Sequence, residues 1–338
     1  MENNYCFLAF GELALDAIYE KVDDKIKLIK ENGGVSAFNT LYYLSTLGQE
    51  TYAIGGVGTE NKKTGIAIKS LKDYCTNTDY IKEIDKKVNE FFIYRPQSNN
   101  ESSDISEEVD IGRTSPTTGK SSVEWSDKLR TSLPDEFKSR KCALIVSNFE
   151  PVTRKFVRSF QENCNNGIVS LDITTEKIFE KYSCEEIIQY LKSLDFIQCN
   201  ENTARSLCNK LGIQSLNELF ADSSIKMFTV TKGSNGAKFY YDDNGSIKEF
   251  ERKPKIVAPM VDTTGAGDAF HAMLLMTYSK SKNKKIDEKY LNRAFNLANA
   301  LSRIVVQKEG ARLEPYDVLF PLMNEIDDSK DKEEILGL

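Results

Sequence analysis

The sequence predicts an α/β fold: a central, mostly parallel sheet with helices on both faces. Three observations predict it. Beyond residue 142, short apolar runs at 143–147, 168–172, 195–199 and 226–231 alternate with segments of helical spacing at 151–164, 183–194 and 201–211. Apolar strands separated by helices of this length form right-handed βαβ units, so the strands run parallel and are covered on both faces. Glycine-rich turns, Gly33-Gly34 and Gly265-Ala266-Gly267, each open into an apolar run at helical spacing. Finally, no internal repeat and no visible boundary between two cores divide the chain, so residues 1–338 read as one domain.

The elements follow in order. Residues 5–11 form a buried strand ending at Gly11, and 13–19 with 25–29 alternate as a half-exposed hairpin around Asp23-Asp24. The Gly33-Gly34 loop leads into a helix carrying Leu41, Leu44 and Leu47, stopped by Gly48. A strand over 51–57, a helix over 64–75 and a strand over 88–94 come next. Residues 97–122 lack aromatic residues and are rich in Ser, Thr, Asn, Asp and Glu, which suggests a mobile surface insertion. A hairpin pairs 237–241 with 246–251 through Asp243-Asn244-Gly245, and a long helix covers about 287–306.

Composition excludes several classes of function. Of 338 residues, 40% are hydrophobic and 28% charged, as in ordinary globular proteins. The net charge of −6 is spread along the chain, with no basic stripe for nucleic acid or an anionic membrane. No apolar stretch reaches the roughly 18 residues that span a bilayer, and residues 1–10 lack the pattern of a secretory signal. Seven scattered cysteines, none in C-x-x-C spacing, read as reduced thiols of a cytoplasmic protein. The single histidine, His271, leaves no room for a multi-histidine metal site and reads best as a packed helix residue. Thr118-Gly119-Lys120-Ser121 imitates the end of a phosphate-binding loop, but Thr114 stands where its first glycine belongs, so it is rejected.

The informative stretch is Val261-Asp262-Thr263-Thr264-Gly265-Ala266-Gly267-Asp268-Ala269-Phe270. Its nearly bare backbone admits a ligand, and the helix that follows presents unpaired N–H groups and a positive dipole end to an anion. Asp268, in the first turn, either complements that dipole or acts as a base on whatever the anion hole holds.

With Gly33-Gly34, Asn39 and the run Val230-Thr231-Lys232-Gly233-Ser234-Asn235-Gly236-Ala237, this stretch resembles the ribokinase/PfkB family of carbohydrate kinases, over about residues 9–310. The resemblance implies a ribokinase-like fold with a small β lid from about 12–30 and 86–122. It implies that Asp268 removes the proton of a sugar hydroxyl as that hydroxyl attacks the γ-phosphate of ATP. The N–H groups of Gly265, Ala266 and Gly267 would hold the developing charge, a role suited to phosphoryl transfer. Asp16, Gly33, Gly34 and Asn39 match the sugar-contacting positions, although Asp16 also reads as a solvated hairpin residue and Asn39 as a helix cap. Arg95, in Phe92-Ile93-Tyr94-Arg95, matches a lid arginine of fructokinase-like and 2-keto-3-deoxygluconate kinase-like members.

For the nucleotide, Asn200, Thr231, Gly233, Gly236 and Asn299 match the family's positions. Mg2+ is implied as a cofactor, and Asp262 and Thr264 match ligand positions of a monovalent cation such as K+. Two departures stand out: Thr203 replaces the glutamate of the family's N-x-x-E motif, with Glu201 as a substitute, and Met273 replaces a small residue. The expected function is an ATP-dependent kinase acting on a primary hydroxyl of a small carbohydrate, as a homodimer joined through the lid. A nucleoside kinase, or a catalytically weak ATP- and sugar-binding regulator, are the alternatives.

Overall fold

One long strand ties the two sheets of the molecule together. In the computed structural model, β1 runs over Cys6–Val22 without interruption. The model describes residues 5–22, 25–74, 76–95, 110–112, 126–254, 260–281 and 285–326, with the side chains of 20–22, 61, 94–95, 110–112 and 126 outside that description. The first half of β1 is apolar at every position from Cys6 to Phe10 and wholly buried, as a central strand must be. It pairs in parallel with β3 (Thr51–Gly58) through Leu13–Val57. On its other side Cys6–Ala9 pair in parallel with β7 (Cys142–Val146). From Ala14 onward the strand changes partner. It pairs antiparallel with β2 (Lys25–Gly34) and parallel with β5 (Glu90–Arg95), forming the lid sheet. The expected pairing of 13–19 with 25–29 is present, but its first arm and the strand expected over 5–11 are one continuous strand. Sequence period reports which residues face which side, but not where a strand exchanges neighbours.

The helix α1 (Ser36–Thr46) follows β2 and is buried at every position. After β3 come α2 (Asn61–Lys72) and the unexpected parallel strand β4 (Asn77–Ile84). Its burial pattern is irregular, which hides it from a period-two reading. Short β6 (Asp110–Gly112) pairs with β5; the rest of the polar stretch 97–122 lies outside the described residues. The regular βαβ series follows as expected: α3 (Pro151–Asn163), β8 (Ile168–Ile173), α4 (Cys184–Lys192), β9 (Phe196–Asn200), α5 (Glu201–Leu211) and β10 (Met227–Thr231). The antiparallel pair β11 (Ala237–Asp243) and β12 (Ser246–Arg252) closes that edge. Three helices complete the chain, α6 (Ala266–Lys280), α7 (Glu288–Val306) and α8 (Pro315–Glu325).

The strand order is β12-β11-β10-β9-β8-β7-β1-β3-β4, with β2, β5 and β6 in the lid. Each face of this sheet carries its own apolar layer. Phe7 and Ala9 point to the side of α1, α6 and α7, where Tyr43, Phe270, Met273 and Leu301 are buried. Leu8 and Phe10 point to the side of α3, α4 and α5, where Phe10 stacks on Phe156 with centroids 4.0 Å apart. A fully buried Leu or Phe contributes about 1.5–3 kcal/mol, so these layers hold the sheet rigid beneath the ends of its strands.

Candidate active site

Side chains from β1, β8 and β9 converge on the N-terminus of α6: Asp16, Asp172 and Gln198. In open α/β sheets ligands bind outside the carboxyl ends of the strands. Gly265 caps α6 in a left-handed conformation (φ 83°), and no side chain caps the helix. A Cβ at Gly265 would collide with the Ala311 backbone, so the loop is compatible with glycine alone for two reasons. Ala266 N–H bonds back to the Thr263 carbonyl, and the Ala266 carbonyl accepts from Ser302 Oγ at 2.9 Å. The Gly267 carbonyl accepts from Gln198 Nε2 at 2.9 Å. The turn is thus pinned through these carbonyls and the Ala266 N–H, which leaves the helix dipole and the N–H groups of Gly265 and Gly267 for an anion.

Asp268 lies in the first turn of α6 and is buried, 8% exposed. Asn39 Nδ2 donates to its Oδ2 at 3.1 Å. Two further carboxylates share the neighbourhood. Asp172, at the end of β8, accepts from Ser36 Oγ at 2.7 Å. Asp16, on β1, packs so closely on the Gly34 backbone that any Cβ there would overlap its carboxyl group. Burial pushes Asp268 up to about 7, with the Asp172 charge adding to it and Ser36, Asn39 and Arg312 opposing. Burial likewise raises Asp172 to about 6, and Asp16 to about 6 against the pull of Arg312. Asp172 and Asp268 titrate as a pair. A carboxylate held near neutrality can both accept and release a proton at physiological pH.

Arg312 supplies the positive charge. It is buried, 7% exposed, and donates from Nε to Asn39 Oδ1 at 2.9 Å. Its Nη1 donates to the Ser70 carbonyl at 3.0 Å and to Ser70 Oγ at 2.6 Å. Its guanidinium also lies 5.5 Å from the centre of the Tyr42 ring. Burial lowers it to about 10, so it stays charged at neutral pH.

The remaining expected positions fall into groups. Asp262 is buried and braces the anion loop: its Oδ1 accepts from Thr264 N–H (2.9 Å) and Thr264 Oγ1 (2.7 Å), and its Oδ2 from Gly310 N–H (2.6 Å). Asn200 caps α5 through a bond from Thr203 N–H to its Oδ1 at 2.8 Å. Thr231 pairs beside Asn200 at the end of β10, and Gly233 and Gly236 form the turn that follows, both with positive φ. Asn299 lies half-buried on α7, one turn before Ser302. Gly33 packs against Ser70 and Ala67 of α2. Arg95 ends β5 opposite Glu20, and its side chain lies outside the described residues.

Thr203, where the resemblance implies a glutamate, is fully buried, whereas Glu201 is exposed. Met273 is buried in the core beneath the loop. His271 is buried beside Ser170, its Nε2 2.5 Å from Ser170 Oγ, and burial lowers it to about 3, so it is a neutral packing residue. Sequence reasoning missed Ser36, Asp172, Gln198 and Arg312. Asp172 had a usable signal, a carboxylate at the end of an apolar strand; Arg312 had none, because its partners lie far away along the chain.

The fold and this loop define a ribokinase-like α/β protein. Residues 165–317 match the model of the pfkB family carbohydrate kinases. The chain is 25% identical over 323 residues to "Probable fructokinase-6, chloroplastic" of Arabidopsis thaliana, covering 90% of this chain and 78% of that protein. Among solved structures, fructokinase with bound ATP from Xylella fastidiosa superposes with a TM-score of 0.74 at 16% identity, over 95% of this chain and 98% of the other. Adenosine kinase from Sinorhizobium meliloti superposes at 0.72 and 17% identity, over the same shares of the two chains.

Proposed function

We propose that this chain transfers the γ-phosphoryl group of ATP to a primary hydroxyl of a small sugar, with Asp268 as the base. One observation carries the reading: a buried carboxylate poised at about 7 is the third residue of a helix whose N-terminus no side chain caps. As the acceptor oxygen bonds to the γ-phosphorus, its proton passes to Asp268. The bond from that phosphorus to the β-γ bridging oxygen breaks, and ADP leaves. The N–H groups of Gly265 and Gly267 hold the charge that spreads over the phosphoryl oxygens, while that of Ala266 closes the turn onto Thr263. Asp16, beside Gly34, takes sugar hydroxyls, and Asn39 steadies the base.

Residues 200, 231, 233, 236 and 299 form the nucleotide side. Among the described residues, no group of three or more His, Cys, Asp or Glu is placed to hold a metal ion. Mg2+ in this reading is carried by the ATP phosphates and water, which suits an ion that sheds water reluctantly. Asp262, buried beneath the loop, and Thr264, bonded to it, are the residues that would border K+ in this reading. The fructokinase relative favours a ketose over a nucleoside as acceptor. Exposed Ile26, Leu28 and Ile29 on β2 give the lid an apolar outer strip through which two copies would pair.

A screen of fructose, other small sugars, adenosine and inosine with ATP and Mg2+, with and without K+, tests the reading. The expected result is turnover of a sugar that Asp268→Asn reduces by about 10²–10⁴-fold, the usual contribution of a positioned base. Undiminished turnover by that variant would remove Asp268 from the role. Turnover of nucleosides alone would reassign the acceptor.

A further inference from the structure

Arg312 is the one guanidinium among the described residues that is buried at the centre of the carboxylate cluster. Its bonds define a chain from α2 to α6: Ser70 accepts from Nη1, Nε donates to Asn39 Oδ1, and Asn39 Nδ2 donates to Asp268 Oδ2. An amide can face a carboxylate with either its oxygen or its nitrogen. Only the second arrangement donates, and the Nε–Oδ1 bond selects it. The rest of the molecule reinforces the geometry. Tyr42 stacks near the guanidinium, and Tyr43, the next residue of α1, ties its hydroxyl to the Ala311 carbonyl at 2.6 Å.

We propose that Arg312 is a positioning residue for Asp268, acting through Asn39 to orient the carboxylate and keep it ionised. The proposal rests on the reading of Asp268 as the base. The groups that face Asp268 are Asp172 from β8, which opposes ionisation, and Ser36, Asn39 and Arg312, which favour it; Asp16 and Asp262 lie in the same field, with Tyr42 and Tyr43 on α1. Deleting the cation removes the only positive charge named in that set. Asp268 must then bind its proton more tightly.

The test measures Asp268 itself before it measures turnover. In protein labelled with 13C at the Asp carboxyls, the Asp268 resonance is identified by its loss in Asp268→Asn and titrated in wild type, Arg312→Met, Arg312→Lys, Asn39→Ala and the double variant Arg312→Met/Asn39→Ala. Expected is an upward move of the midpoint by about 0.5–1 pH unit in Arg312→Met. Asn39→Ala should move it in the same direction, and the double variant should move it by less than the sum of the two, because part of the effect of Arg312 passes through Asn39 while its charge also acts on Asp268 directly. The acid limb of kcat/KM for sugar phosphorylation should move by the same amount, with KM for ATP unchanged. Arg312→Lys, which keeps the charge and loses the planar fork, should keep the midpoint near wild type yet lower kcat.

An unmoved midpoint in folded Arg312→Met, or additive shifts in the double variant, would overturn the relay. Should Arg312→Met not fold, an Asn39→Ala protein with an unmoved midpoint and unchanged kcat would overturn it equally. Full activity of Asp268→Asn alongside a shifted midpoint would leave the relay standing and remove the base assignment beneath it.

Discussion

At the scale of single residues, the site is a problem in proton occupancy. Three carboxylates and one guanidinium occupy a buried volume, so not every carboxylate can be charged at once. With Asp268 at about 7 and needed as its anion, activity should fall as pH drops through about 7, and a kcat/KM profile from pH 5 to 9 would check this. A flat profile down to pH 5.5 would contradict the environment described. Gly34 tests the packing that places Asp16. Gly34→Ala puts a methyl group into the Asp16 carboxyl, so KM for the sugar should rise by about tenfold or more, with KM for ATP little changed. Nucleotide affinity by calorimetry separates that outcome from general misfolding.

At the scale of elements, β1 and α6 carry most of the design. β1 takes part in both sheets, so Asp16 on the lid side is held by the same strand whose first half is locked in the core. α6 turns its entire length into the core and offers its solvent-facing end alone to a ligand. β2 behaves differently. Its Ile26, Leu28 and Ile29 are 38–45% exposed, apolar side chains through which two copies would pair in the proposed dimer. Replacing Leu28 and Ile29 by Lys should convert a dimer to a monomer in sedimentation experiments while leaving the fold intact. A wild-type protein that sediments as a monomer at tens of micromolar would rule out pairing through the lid.

For the whole molecule, the buried acids cost stability. The folded values of Asp16, Asp172 and Asp268 all lie above the ordinary aspartate value of 3.8. The folded protein therefore binds these protons more tightly than the unfolded chain does. Their stabilising contribution is fully present below about 3.8 and is lost as pH rises through about 6 to 7. It follows that Asp268→Asn, though slowed in the proposed reaction, should be more stable than wild type at pH 8 by about 1–2 kcal/mol, and that the gap should close towards pH 5. Differential scanning calorimetry at the two pH values would show this. A variant less stable at both would mean that Asp268 is better paired than its surroundings imply.

What the sequence determined by itself is the part written in local pattern. Alternating apolar runs and helical spacing specify the parallel sheet, because burial on both faces forces a continuous apolar strand. The Gly265-Ala266-Gly267-Asp268 turn announces an anion site, because a left-handed cap and a bare backbone need glycine. Tertiary structure alone decided the electrostatics. Asp16, Asp172, Asp268 and Arg312 are spread over nearly 300 residues of chain, and neither their proximity nor the shifted proton affinities can be read from local spacing. The same holds for β1, whose change of partner at Ala14 leaves no mark in its own residues. A pairwise charge interaction depends on distance and burial, and only the folded chain sets those.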